Sequence, residues 1–200
     1  MAKLGKSYLL EIRIDKSYNG SGGTDMKIQD KTWLACLIDT EGSIIVQIED
    51  SKKDQRTFSI SIRPALKCGM TTPNLLNKAQ KLVGGYLRGP YRLRKSMVFD
   101  WSLRGFSKAI PVLKLISPYL LEKKDKAIIL IELGKLYQRL LSRPLRYPRK
   151  DRLQIKRKRL ANRETKFLLK FLIKKWYPKF GKHTISFQKA KRLLAELKEE

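Results

Sequence analysis

Apolar positions change their period several times along this chain, and each change predicts an element. Leu34, Leu37 and Ile38 recur at i, i+3 and i+4, one face of a helix, with Ala35 and Cys36 as small neighbours. Asp30 and Thr32 are cap-type residues ahead of it, and Gly42 is its expected stop. Beyond Gly42 the period becomes two. Ile44, Val46 and Ile48 alternate with Ser43, Gln47 and Glu49, which predicts a strand over 43–49, then a polar turn at 50–55. A second strand is expected over 56–67, where Phe58, Ile60, Ile62, Pro64 and Leu66 alternate with Ser59, Ser61, Arg63, Ala65 and Lys67. Thr72-Pro73 opens a second helix with Thr as N-cap, and Leu75, Leu76, Ala79 and Leu82 form its inward stripe.

Val83-Gly84-Gly85-Tyr86 ends that helix and starts a second hairpin. Its first strand sets Arg88, Arg92 and Arg94 on one side. In its second strand Met97, Phe99, Trp101 and Leu103 face inward, and Val98, Asp100, Ser102 and Arg104 outward. Two such hairpins predict an antiparallel sheet with one solvated face. Helical patterning returns over 107–116, interrupted by Pro111, and over 122–141, with Ser117-Pro118-Tyr119 between them. The expected fold class is therefore α+β.

Three parts follow: an arm over 1–29, a core over 30–141 and a basic linker with helices over 142–200. In the arm, Leu10, Ile12 and Ile14 alternate as in a short strand, and Asn19-Gly20-Ser21-Gly22-Gly23 reads as a flexible connection. Between Ser142 and Arg163 stand ten basic residues and one acid, with Pro144 and Pro148 opposing a helix at the start. Helices are expected near 164–177 and 186–197.

Charge narrows the partner. Against 18 acids the chain carries 45 Lys and Arg, a formal charge of +27, which points to a polyanion and above all to nucleic acid. The sequence has no run of 18 apolar residues, and its basic residues are not confined to one amphipathic segment, so a membrane is not the expected partner. The N-terminus lacks the apolar core of a secretory signal. Cys36 and Cys68 form no C-x-x-C pair, so reduced intracellular thiols are expected, and a single His183 excludes a multi-histidine metal site. Abundant charge with little Asn and Gln leans towards a thermophilic, archaeal source.

Asp39 and Glu41 fall at the helix-to-strand junction, where unpaired carbonyls already carry partial negative charge. Such a site is costly without a cation. Mg2+, or another hard divalent cation, would suit it, because it binds one or two carboxylates together with substrate phosphates. Spacing alone leaves open a helix that ends in a solvated Asp-Thr-Glu-Gly turn.

Leu34 to Gly42, LACLIDTEG, resembles the LAGLIDADG signature of homing endonucleases at six of nine letters. The departures are Cys36 for Gly, Thr40 for Ala and Glu41 for Asp. The element order resembles the family's αββαββα unit, and LISPYLLEKKDKA resembles its late helix-Pro-helix segment, so the resemblance spans about residues 31–140. It implies Mg2+-dependent cleavage of both strands of a long, near-palindromic DNA target by an intron-encoded or similar mobile-element enzyme. Glu41 would be a direct metal ligand, Thr40 would offer its carbonyl, and Asp39 would support the site. Lys67 is the first choice for the basic residue near the scissile phosphate and Lys108 the second.

A single motif implies a homodimer, with the face bearing Trp33, Leu34, Ala35, Leu37 and Ile38 at the interface. A sheet face of Gln47, Ser59, Ser61, Arg63, Lys67, Arg88, Arg92, Arg94 and Arg104 suits a major groove. Arg149, Lys150, Arg152, Lys156, Arg157, Lys158 and Arg159 would add contacts to double-stranded DNA. The expected location is the cytoplasm or nucleoid of a prokaryote, or an organelle. An RNA maturase would keep the same fold without needing cleavage, and a basic ribosomal or RNA-binding protein would need only the charge. Retention of both Asp39 and Glu41 favours cleavage.

Overall fold

The computed structural model describes residues 26–54, 57–93, 95–142, 165–181 and 184–197. Helix α1 spans Ile28–Thr40, and β1 (Gly42–Asp54) and β2 (Thr57–Met70) follow as a hairpin. Then come α2 (Asn74–Val83), β3 (Tyr86–Leu93), β4 (Ser96–Arg104), α3 (Phe106–Ile116), a 3-10 turn at Ser117–Tyr119 and α4 (Lys124–Leu141). After the linker a helical run, α5, covers 165–180 with a π turn at Leu172–Trp176, and α6 spans Ile185–Glu196. The αββαββα order and the α+β class are as expected.

All strand pairs are antiparallel, in the order β1-β2-β4-β3. Ile44, Val46, Ile62, Leu66, Trp101 and Leu103 are buried on the inner face, against α1 and α3. Leu34, Ala35, Leu37 and Ile38 of α1 join the same core, as do Leu76 and Ala79 of α2. Leu168, Leu169, Leu172 and Trp176 of α5, with Phe187, Ala190 and Leu193 of α6, extend it. The C-terminal helices are thus part of one core with the sheet, and a Lys175–Glu132 ion pair at 2.8 Å ties α5 to α4.

Several local expectations are corrected. Asp30 and Thr32 do not cap α1, which begins at Ile28; Asp30 lies in its first turn, and the Thr32 hydroxyl donates to Ile28 O at 3.0 Å. Thr72 does not cap α2 either, since the N-cap position is Pro73 with no side-chain cap. The first hairpin has no turn at 50–54: pairing continues to Asp54↔Thr57, carrying the ribbon past the core. Helix α3 runs through Pro111 uninterrupted. The lost hydrogen bond and ring clash cost about 3 kcal/mol, whereas α3 buries Ala109, Ile110, Val112, Leu113 and Ile116, of which each larger side chain contributes roughly 1.5–3 kcal/mol. Met97, expected inward, is half exposed because that end of the second hairpin also projects beyond the core.

Candidate functional site

Helix α1 brings its acidic end to the margin of the sheet. A Cβ on Gly42 would lie 2.7 Å from Ile38 Cα and 2.9 Å from Ile38 O, so only glycine lets β1 leave so close to the helix end. Glu41 is the C-cap residue, with its N–H donating to Leu37 O at 3.0 Å. Its side chain is exposed and makes no hydrogen bond or ion pair with another described residue. The Thr40 hydroxyl turns back to Cys36 O at 3.0 Å, and the Thr40 carbonyl is one of the helix-end carbonyls left without an intrahelical donor.

Asp39 has a different set of partners. Its carboxylate accepts the backbone N–H groups of Leu121 at 2.6 Å and Lys123 at 3.0 Å, on the approach to α4. The Lys123 ammonium in return donates to Ile38 O at 2.8 Å and to Asp39 O. Part of the negative charge at this helix end is therefore answered by Lys123. Like charges at a helix end call for a cation, and among the described residues Lys123 meets part of that need, leaving the Glu41 carboxylate of the pair without a partner. Lys123 was missed because nothing local marks a lysine 84 residues away as a partner.

Glu41 opens into a cavity of about 130 Å³ whose lining includes Ser43, Lys67, Gly69, Arg88, Asp100, Ser102 and Arg104. Strand register explains the grouping. Ser43 pairs with Lys67, Lys67 with Ser102 and Ser102 with Tyr86, while Arg88 pairs with Asp100 and Asp100 with Gly69. A Cβ on Gly69 would sit 2.8 Å from Asp100 Oδ1, so this glycine makes room for the carboxylate. Asp100 also accepts a hydrogen bond from the Tyr91 hydroxyl, which raises the Tyr91 pKa. Below the cavity, burial and then the Glu41 and Asp100 carboxylates push the Cys68 thiol up to about 11.

Lys67 thus shares the cavity with Glu41, whereas Lys108 is exposed on α3 and does not line it. Arg88 and Arg104 are also brought in. Arg63 is engaged by Ser61 Oγ at 2.9 Å and Glu49 at 3.4 Å, and Gln47 is half-buried with its Oε1 lacking a partner among the described residues. Alternation placed Asp100 on the outer face, but its role in the cavity was not foreseen.

Two expectations about faces are corrected. A bulge between Arg88 and Tyr91 shifts the β3 register, so Tyr91 pairs with Val98 and Arg92 with Met97. Tyr91 consequently shares the face of Arg88 and Asp100, and Arg92 falls on the opposite one, because one extra residue inverts the alternation. On α1, Leu34, Ala35, Leu37 and Ile38, expected at a dimer interface, are buried within the monomer, and Trp33 is half-buried. The exposed stripe of α1 is Ile28, Gln29, Thr32, Cys36 and Thr40. Residues 1–25, Arg94, Arg149, Lys150, Arg152, Lys156, Arg157, Lys158, Arg159 and His183 lie outside the described residues, as does the Ser59 side chain.

Among the described residues no three His, Cys, Asp or Glu side chains group to hold a metal ion. Glu41 and the neighbouring helix-end carbonyl fit a hard divalent cation only as part of a set completed by water, phosphate or a second chain.

No protein-family model matches the sequence, and no curated protein is similar enough to match it. Solved structures do match. The homing endonuclease I-CvuI, in complex with DNA in the presence of Mg, aligns with TM-score 0.59 at 19% identity, over 86% of this chain and 98% of its own. The archaeal intron-encoded homing endonuclease I-Vdi141I, complexed with DNA, aligns with TM-score 0.55 at 12% identity, over 86% and 98%. The LAGLIDADG meganuclease I-CpaMI, bound to uncleaved DNA, aligns with TM-score 0.52 at 16% identity, over 84% of this chain but 49% of its own. The fold is that of the LAGLIDADG homing endonucleases. In this homing-endonuclease fold LACLIDTEG occupies α1 and its exit, and 86% coverage reaches beyond residues 30–141 into the C-terminal segment.

Proposed function

We propose that this protein is a site-specific DNA endonuclease that cuts both strands of a near-palindromic target as a Mg2+-dependent homodimer. The observation that carries the reading is the shared cavity: Glu41, without a partner among the described residues at the end of the motif helix, meets Lys67, Arg88 and Arg104 on a sheet of the homing-endonuclease fold. Asp39 holds the helix end to α4 and so positions Glu41. A Mg2+ ion bound at Glu41 and the Thr40 carbonyl would supply water activation and charge stabilisation at the scissile phosphate. Lys67 and Arg88 would hold that phosphate and stabilise its developing charge. Arg104, Arg88 and Ser102 present donors to base edges or phosphates across the outer face. Arg63, Ser61 and Gln47, with Arg94 from the second hairpin, extend the proposed DNA surface, and the basic run from Arg149 to Arg159 adds phosphate contacts.

Two features support a homodimer. One chain carries one motif, and it matches about half the length of I-CpaMI. Beyond Ile28 and Gln29 the exposed stripe of α1 carries short side chains, Thr32, Cys36 and Thr40, that allow a second helix to approach. The protein would act inside the cell, where its DNA is, and mobile-element coding fits the archaeal intron-encoded neighbour. No helix among the described residues is long and apolar enough to cross a membrane.

Purified protein incubated with a randomised duplex library and Mg2+ tests this reading. Selective double-strand cuts at one near-palindromic site, lost in Glu41→Gln and without Mg2+, are expected. Absence of cleavage together with tight binding to structured RNA would overturn it in favour of an RNA maturase.

A further inference from the structure

A second cavity, of about 440 Å³, runs along the outer edge of β1 and is lined on its far side by Phe180 and Gly181 at the end of α5 and Thr184 and Ser186 at the start of α6. Two residues of its lining, Tyr177 and Gln47, each carry a buried polar atom without a partner among the described residues, the Tyr177 hydroxyl and Gln47 Oε1. Tyr177 is only 2% exposed, and burial raises its pKa to about 12, so it keeps its proton and is a donor without an acceptor. A half-turn of the Gln47 amide exchanges its oxygen and nitrogen without changing its shape, so Gln47 can also donate.

Other donors converge on the same cavity. Helix α6, twelve residues long, starts there: Thr184 Oγ accepts the Phe187 N–H at 3.3 Å, and Ser186 lines the wall. The N–H groups of Ile185 and Ser186 have no partner within the helix, and the positive end of its dipole favours an anion. Lys126 of α4 lines the opening, its ammonium 5.5 Å from the centre of the Phe180 ring. One carboxylate, Glu49, is also in the lining, but it is paired with Arg63 at 3.4 Å. The chemistry of these donors suits a group that only accepts hydrogen bonds and carries negative charge.

We propose that this cavity binds a backbone phosphate of a nucleic-acid strand, as an anchor separate from the Glu41 site. The assignment of the phosphate to nucleic acid rests on the endonuclease reading; the donor chemistry does not. Ser43 opens into the Glu41 cavity and Gln47, four residues on, into this one, about 13 Å along the strand. A duplex lying across the sheet spans that distance within a few nucleotides.

The test uses the full chain with Tyr177→Phe and Lys126→Gln, neither of which alters the Glu41 cavity, and thermal melting of each variant to verify folding. Affinity for a mixed-sequence duplex is measured across a salt series, and binding of inorganic phosphate is followed by phosphorus NMR. Several-fold weaker duplex binding in both variants, with a log–log salt slope smaller by about one in Lys126→Gln, supports the anchor. Unchanged duplex binding with lost binding of inorganic phosphate overturns it in favour of a free anion, and no change in either overturns the site. In each case cleavage by the unaltered protein and its loss in Glu41→Gln are read separately, so failure of the anchor and failure of the endonuclease reading stay distinguishable.

Discussion

Asp39 and Lys123 hold each other's backbone: the Asp39 carboxylate accepts the Lys123 N–H at 3.0 Å, and the Lys123 ammonium donates to Asp39 O. The exchange binds the last turn of α1 to the start of α4 across 84 residues. It gives the Asp39 carboxylate backbone partners and fixes the helix end from which Glu41 projects.

Replacing Asp39 by Ala removes the acceptor for two backbone N–H groups and should destabilise the fold by about 2 kcal/mol, within the range for hydrogen bonds to charged groups. Asp39→Asn keeps one acceptor oxygen and should lose less. Urea unfolding measures both. An alanine variant as stable as the parent would remove the clasp from the account.

Lys67 shares the cavity with Glu41 and Lys108 does not. Lys67→Met should slow cleavage of the selected target by about 100-fold or more, as removal of one charge-stabilising donor does. Lys108→Met should leave the rate near that of the parent. Single-turnover rates at saturating Mg2+ make the comparison, and equal losses would argue against the grouping.

Cys36 lies on the exposed stripe of α1 and Leu37 in the core. Cys36→Arg should convert a dimer to a monomer in sedimentation and abolish double-strand cutting without loss of monomer stability. Leu37→Ala should instead cost about 2–5 kcal/mol of stability. A Cys36→Arg protein that remains dimeric would move the interface off this stripe.

Burial, and then the Glu41 and Asp100 carboxylates, push the Cys68 thiol above its ordinary range to about 11. Its thiolate is disfavoured only in the folded chain. The associated stability is therefore complete below pH 9 and is lost as pH rises through about 11. Denaturant midpoints should fall over that interval, and less in Cys68→Ala when each protein is compared with its own midpoint at neutral pH. At neutral pH a thiol reagent should spare Cys68.

The elements were legible in the sequence because their signals are local. Leu34, Leu37 and Ile38 announce a helix by spacing, and Ile44, Val46 and Ile48 a strand, whatever else the chain does. The expectation of Leu34, Ala35, Leu37 and Ile38 at an interface has a physical cause: an apolar face at helical spacing must be buried, but the spacing does not say against what. Here the monomer's own sheet and α3 cover it. Arg92 was assigned to the wrong face for a related reason, since the alternation from Arg88 holds only while no extra residue interrupts the ladder, and the bulge before Tyr91 does so.

By itself, then, the sequence determined the order αββαββα, the identity of the acidic pair at the helix end and the basic character of the outer sheet face. Those follow from backbone periodicity and side-chain charge, which act over a few residues. Tertiary structure alone decided that Asp39 is committed to Leu121 and Lys123, that Lys67 rather than Lys108 accompanies Glu41, and that Asp100 enters the cavity beside Gly69. Each depends on which distant segments the core brings together, and that is set by burial of the whole apolar surface at once.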